Sequence, residues 1–292
     1  MSIGTLVDTL RLSRRHAPPS ALRDPEMHVI ELKTARLRYL DTGGNGQPVV
    51  MAPDPPNTIE HHLRMVDELR KTHRVIVFDL PGFGFSYPRT GSAFDLAVQR
   101  DTLVQLLDSL HLKDSILVFS CLASFAALGA ARQRPDRVAG LVLAQAPSFP
   151  DALDWARRMD NRHILGTPVL GQLMMATQGR KIADGWYRVA LPKGSDTSDY
   201  FRPAETMLRH GGCYCLASAF QRFRHAEPGQ YVGAEQPVTA FWGLADRTHR
   251  PSNPEGLREH VPHAGIVTLK DCGHFPDLEY SHEVIRAIRG EH

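Results

Sequence analysis

The stretch Leu117-Val118-Phe119-Ser120-Cys121-Leu122-Ala123-Ser124 reads as an apolar strand, a sharp turn of small residues and the start of an Ala-rich helix. That order suits nucleophilic chemistry, because a hydroxyl or thiol on such a turn stands above the sheet with a helix N-terminus behind it. The backbone N–H groups and the helix dipole there stabilise a thiolate or a developing oxyanion. Ser120, Cys121 and Ser124 are the nucleophilic side chains within it. The other cysteines, Cys213, Cys215 and Cys272, are too few and scattered for a disulfide framework, and the Cys213–Cys215 spacing fits neither a CxxC redox motif nor a zinc knuckle. Asp54 lies in a proline-rich turn, Met51-Ala52-Pro53-Asp54-Pro55-Pro56. A carboxylate there either faces solvent and initiates the turn or meets a substrate as an acid or base. Asp246 sits in Trp242-Gly243-Leu244-Ala245-Asp246-Arg247, where an aspartate can also cap a turn. Of 15 histidines, His274 has the most distinctive context, Asp271-Cys272-Gly273-His274-Phe275-Pro276, while His61, His62, His249 and His282 have none comparable.

Positioning these residues falls to an alternating chain. Apolar runs at 48–52, 74–80, 115–119, 140–144, 237–242 and 265–269 read as strands, and 28–40 as a hairpin with a Gly-rich close. Helical spacing marks 59–69, 98–110, 125–134 and 284–289. Strands apolar throughout, separated by helix-length segments, predict an α/β fold with a mainly parallel sheet covered on both faces. Residues 149–235 break that rhythm with no evident strand and many Met, Arg and aromatic residues. They read as a helical cap over the carboxyl edge of the sheet, where ligands bind in open α/β folds. The expected division is an N-terminal arm at 1–27, a core at 28–148 and 236–292, and the cap between. In the arm, Ile3, Leu6, Val7 and Leu10 form a short amphipathic helix that packs on the body, followed by Arg14, Arg15 and His16 and broken at Pro18-Pro19.

Several segments together resemble the α/β-hydrolase family over nearly the whole chain. Asp79-Leu80-Pro81-Gly82-Phe83-Gly84-Phe85-Ser86 is similar to the family's loop after the fourth strand, and Ala130 to Val138 to the end of the helix behind the nucleophile. The segments around Asp246 and His274 resemble the acid-bearing turn and the histidine loop. The resemblance implies an eight-stranded-type, mostly parallel sheet with helices on both faces. It also implies a nucleophile about 14 positions before the proline of that helix end. Pro135 follows Cys121 by 14 positions, which selects Cys121 over Ser120 and Ser124. The Cys-Leu-small-small elbow resembles that of dienelactone hydrolase, a member with a cysteine nucleophile. By the same resemblance Asp246 orients His274, His274 takes the proton of Cys121, and the backbone N–H groups of Asp54 and Leu122 form the oxyanion hole.

Two features depart from the family pattern. Phe119 stands two positions before the nucleophile, where a small residue is usual, so it must point somewhere roomy or the turn must relax. The Pro-rich stretch around Asp54 replaces a usual His-Gly, and a carboxylate near the hole would oppose negative charge unless turned away or protonated. Large apolar residues of the cap, among them Leu173, Met175, Tyr187, Phe201, Tyr214 and Phe220, mostly pack it onto the body, and a subset lines an apolar pocket. Asp54, Phe119, Ser120, Trp155, Met174 and Trp186 are the expected substrate contacts.

Composition narrows the function further. With 42% apolar and 23% charged residues the chain is an ordinary globular one, and a net charge of +2 carries no nucleic-acid or anionic-membrane signature. The expected protein is a cytoplasmic enzyme with no cofactor, metal or transmembrane segment. It would act on a small hydrophobic ester or lactone, or on a carrier-bound thioester, by hydrolysis, acyl transfer or cyclisation. The rivals are a lyase or isomerase using His274 and Asp54, and an inert binding protein. The oligomeric state is open.

Overall fold

The computed structural model describes residues 3–12, 26–89, 95–160 and 162–291. In chain order the elements are α1 (Ile3–Leu12), β1 (Met27–Glu31), β2 (Ala35–Asp41), β3 (Pro48–Ala52), α2 (Leu63–Leu69), β4 (Arg74–Phe78), β5 (Phe83–Gly84), β6 (Tyr87–Pro88), α3 (Leu96–Ser109), β7 (Ser115–Ser120), α4 (Ala123–Gln133) and β8 (Val138–Ala144). There follow α5 (Phe149–Met159), α6 (Leu170–Ala190), α7 (Ser198–Arg209), β9 (Cys213–Tyr214), α8 (Leu216–Phe223), β10 (Val238–Gly243), β11 (Gly265–Leu269), α9 (Pro276–Glu279) and α10 (Ser281–Ile288).

The main sheet runs β1-β2-β4-β3-β7-β8-β10-β11, with β6 paired beside β2. β2 is antiparallel to β1, β4 and β6, and the pairings from β4 to β11 are all parallel. This is the α/β-hydrolase arrangement the motifs imply. Strand pleating sorts the apolar runs into two cores. Val50, Ala52, Leu117 and Phe119 enter one, with Leu106, Leu107 and Leu128 from α3 and α4. Val49, Met51 and Val118 enter the other, with Val284, Ile285 and Ile288 from α10. Burial on both faces explains why these strands read as unbroken apolar runs.

One expectation needs correcting. The segment 149–235 does contain a strand: β9 pairs antiparallel with β5, Phe83 opposite Tyr214 and Gly84 opposite Cys213. Two residues are too short to leave a periodic trace in sequence. The N-terminal helix packs against α6 and α8, and its buried Asp8 accepts from Ser218 Oγ at 2.7 Å. Arg14 to His16 and Pro18-Pro19 lie outside the described residues. Among the described residues no helix is long and apolar enough to cross a membrane.

Candidate active site

Cys121 follows the last residue of β7 and precedes α4, in a backbone conformation with φ +49°. A non-glycine residue at positive φ costs of order 1–3 kcal/mol and persists only where its surroundings hold it. Here the Cys121 N–H donates to Ala144 O at 2.9 Å, tying the turn to β8. Phe119 resolves its apparent steric problem by pointing into the core, 1% exposed and 6.0 Å from the Phe78 ring. Burial pushes the Cys121 thiol up, the Asp54 charge adds to this, and His274 and the Leu122 N–H pull the other way.

His274 is carried by the loop after β11, and Asp246 by the turn after β10. The two loops come close because residue 243 is glycine: a Cβ there would lie 1.8 Å from Gly273 O. His274 Nδ1 meets Asp246 Oδ2 at 2.6 Å. The other Asp246 oxygen accepts from the Thr248 N–H and hydroxyl, both at 2.8 Å, and Gln145 Nε2 donates to Oδ2 at 3.0 Å. Although burial opposes the charge of Asp246, the His274 charge and hydrogen bond and the Thr248 hydroxyl outweigh it and hold the carboxyl below its ordinary value.

The far nitrogen of the ring faces a second carboxylate. His274 Nε2 lies 3.3 Å from Asp54 Oδ2, an ion-pair distance without the alignment of a hydrogen bond. Burial raises the Asp54 carboxyl, and His274 offsets only part of that. Burial would lower His274, yet Asp246, Cys121 and Asp54 more than reverse it, leaving the imidazole well above its ordinary value. His249 stacks on His274 at 5.4 Å and on Trp155 at 5.3 Å. Burial and the neighbouring His274 push His249 down to about 3, so this ring is neutral.

Over the sulfur lies a cavity of about 270 Å³, lined by Asp54, Cys121 and Leu122 from the sheet edge and by apolar residues of α5, α6 and α8. Trp155 and Trp186 form part of that wall and both pack against His274. Ser120, Met174 and Phe119, expected at the substrate, are not on it. Ser120 is buried at the end of β7 opposite Ala144, and Met174 packs against the core.

The model of the alpha/beta hydrolase family matches residues 49–287. The chain belongs to that family. It is 28% identical over 283 residues to a cis-3-alkyl-4-alkyloxetan-2-one decarboxylase from Shewanella oneidensis, covering 90% of this chain and 86% of the relative. It is also 26% identical to a pimeloyl-[acyl-carrier protein] methyl ester esterase from Nitrosomonas europaea, over 85% of this chain and 96% of that one. The solved structure of a thermophilic esterase from Thermogutta terrifontis shares the fold, with a TM-score of 0.67, 23% identity and coverage of 90% and 97%.

Two residues of this site, Gln145 and His249, carry no local signal in the sequence. Gln145, at φ +48°, bonds both Asp246 and the Gly243 N–H, so it braces the acid-bearing turn. Its position at a strand tip was visible in sequence, but its role required the pairing of β8 with β10. His249 looked unremarkable because its partners, Trp155 and His274, are distant in sequence. Tyr214 lines the cavity from the strand too short to detect.

Proposed function

We propose that this hydrolase opens an ester, thioester or lactone of a hydrophobic acyl group through an acyl-enzyme on Cys121, with His274 as base and Asp246 as its orienting anion. The observation that carries this is the sulfur held at a positive-φ elbow on the wall of an apolar cavity, with the His274–Asp246 pair beside it. Thiolate attack on the acyl carbon gives a tetrahedral oxyanion, which the Asp54 and Leu122 N–H groups receive. Neither N–H has a backbone partner among the described residues. The leaving oxygen or sulfur departs with a proton from the imidazolium, and water then hydrolyses the thioester, returning the thiol and releasing the acid. At about 30 Å³ per water-sized group, the cavity holds roughly nine such groups, the size of a short acyl chain or ring. Helices α5 to α8 act as the cap over it.

Asp54 gives this site a second acid. A thiolate leaves a tetrahedral intermediate more readily than an alkoxide, so ester or lactone cleavage needs the alkoxide protonated as it departs. A carboxyl raised by burial beside the imidazole suits that task. The same contact favours a second reading, a lyase in which His274 and Asp54 move protons and Cys121 only shapes the site. The oxetanone decarboxylase among the relatives acts, by its name, on a four-membered lactone with alkyl arms.

Intact-mass spectrometry separates the readings. Incubation with aryl esters, acyl thioesters and cis-3,4-dialkyl oxetan-2-ones should leave an acyl mass on Cys121, and Cys121→Ala should abolish both adduct and turnover. Turnover of the oxetanone to carbon dioxide that survives Cys121→Ala would replace the acyl-enzyme reading with the lyase. No turnover, with Cys121 alkylated by iodoacetamide no faster than Cys213, Cys215 or Cys272, would mark a binding protein.

A further inference from the structure

Cys121, His249 and His274 are all buried, and each offers one ligand atom, the sulfur or a ring nitrogen, within 4.8 Å of the other two. Acyl chemistry uses two of these groups and has no task for the third. His249 is 2% exposed, its Nδ1 meets Ser252 Oγ at 3.1 Å, and its Nε2 has no hydrogen-bond partner among the described residues. A buried nitrogen left without a partner is costly and calls for an occupant. The geometry points to a binding site for a soft divalent metal ion, of which zinc is the type, formed by Cys121 Sγ, His249 Nε2 and His274 Nε2 and completed by the Asp54 carboxylate.

The donor set fits zinc, which takes sulfur and imidazole nitrogen in a tetrahedron. With metal–ligand bonds of about 2.0–2.3 Å the donors of such a site stand roughly 3.3–3.7 Å apart. The three groups therefore need to close by about 1 Å, within reach of side-chain rotation. Asp54 Oδ2, 3.3 Å from His274 Nε2, is at that spacing from one of the three donors. Both histidines carry the supporting contact that metal-bound imidazoles require on their other nitrogen, Asp246 for His274 and Ser252 for His249. Thiolate and imidazole together exclude magnesium and calcium in favour of zinc or cobalt. On binding, the sulfur–metal bond replaces the S–H bond, and the protons of Cys121 and of a protonated His274 pass to solvent. The cavity that touches Cys121 gives the ion its way in. Because the ion takes the very sulfur that would attack a substrate, it acts as a reversible inhibitor rather than a cofactor.

The test reads the thiol directly and does not depend on any substrate. The intact protein, stripped with a chelator, is treated with iodoacetamide in the absence and presence of zinc chloride, and alkylation at Cys121 is followed by peptide mass. One zinc per chain should slow alkylation more than ten-fold, with full recovery on adding EDTA. Cobalt chloride should give a thiolate-to-metal charge-transfer band that Cys121→Ser removes. His249→Phe keeps a ring against Trp155 while deleting the ligand, and should raise the zinc concentration needed for half-protection at least ten-fold. Unchanged alkylation with zinc, no cobalt band, or equal protection in His249→Phe would overturn the site. If His249→Phe fails to fold, the cobalt band and one-to-one stoichiometry of the unaltered protein decide.

Discussion

On its Nδ1 side the His274 ring meets Asp246, whose carboxylate also accepts from the Thr248 N–H, the Thr248 hydroxyl and Gln145. On its Nε2 side it meets Asp54, toward which no other side-chain or backbone donor is directed among the described residues. Both carboxylates are buried, and burial is the largest influence on each, raising the pKa in both cases. The outcome nevertheless differs in sign: Asp246 ends below its ordinary value and Asp54 above it. Neighbouring charges and donors decide which carboxylate remains an anion: His274 is the main influence lowering Asp246, while Asp277 and Asp246 add to burial in raising Asp54. In the proposed reaction Asp246 stays charged and holds the ring, whereas Asp54 changes its protonation state.

The comparison breaks most visibly on the Asp246 side. Asp246→Asn keeps the shape but removes the anion and invites the wrong imidazole tautomer. On aryl ester or thioester substrates kcat/KM should fall on the order of 10³–10⁴-fold, the scale for removing the orienting carboxylate of such a triad. A fall under ten-fold would mean that Asp54 can replace it. Asp54→Asn should act selectively. Turnover of an alkyl ester or lactone should drop roughly 100-fold, the range of general acid catalysis, while a thioester with the same acyl group is nearly unaffected. Equal losses on both would reduce Asp54 to its backbone N–H. Gln145→Ala removes one donor from Asp246 and should cost about ten-fold in kcat/KM, from the loss of about one hydrogen bond to a charged group. That variant should also make turnover fail at a higher pH as the solution is acidified, because Asp246 then protonates more easily.

Much of this arrangement was legible in sequence for a physical reason. The sheet and the elbow are signalled by apolar runs and a turn of small residues, while Asp246 and His274 stand out through the resemblance of their loops to the family's. What escaped depends on side chains meeting across the fold. Gln145 follows the apolar run 140–144 with nothing local to mark it, and its bracing contacts exist because β8 lies beside β10. Asp54 reads in sequence as a carboxylate that could face either solvent or substrate, and the structure puts it on the wall of the cavity beside Cys121. Phe119 was read as a cavity residue because the elbow was considered without the pleat, which sends that side chain to Phe78.

The smallest predicted effect sharpens the same lesson with two histidines in place of two carboxylates. His249 and His274 stack 5.4 Å apart in one buried environment, yet His274 is raised well above its ordinary value and His249 falls to about 3. Of these two rings, only His274 is within ion-pair distance of Asp54 and Asp246 among the described residues. A histidine whose folded pKa is depressed contributes stability that is complete above the unfolded value of about 6.5 and is lost as pH falls below it. For His249 that loss reaches about 1 kcal/mol by pH 5.5. His274 has the opposite sign, its contribution being complete below about 6.5 and lost as pH rises through its folded pKa. Urea unfolding at pH 7.5 and 5.5 should therefore show His249→Phe losing about 1 kcal/mol less than the unaltered protein on acidification. A variant with the same acid loss as the unaltered protein would mean that His249 is already charged against Asp246.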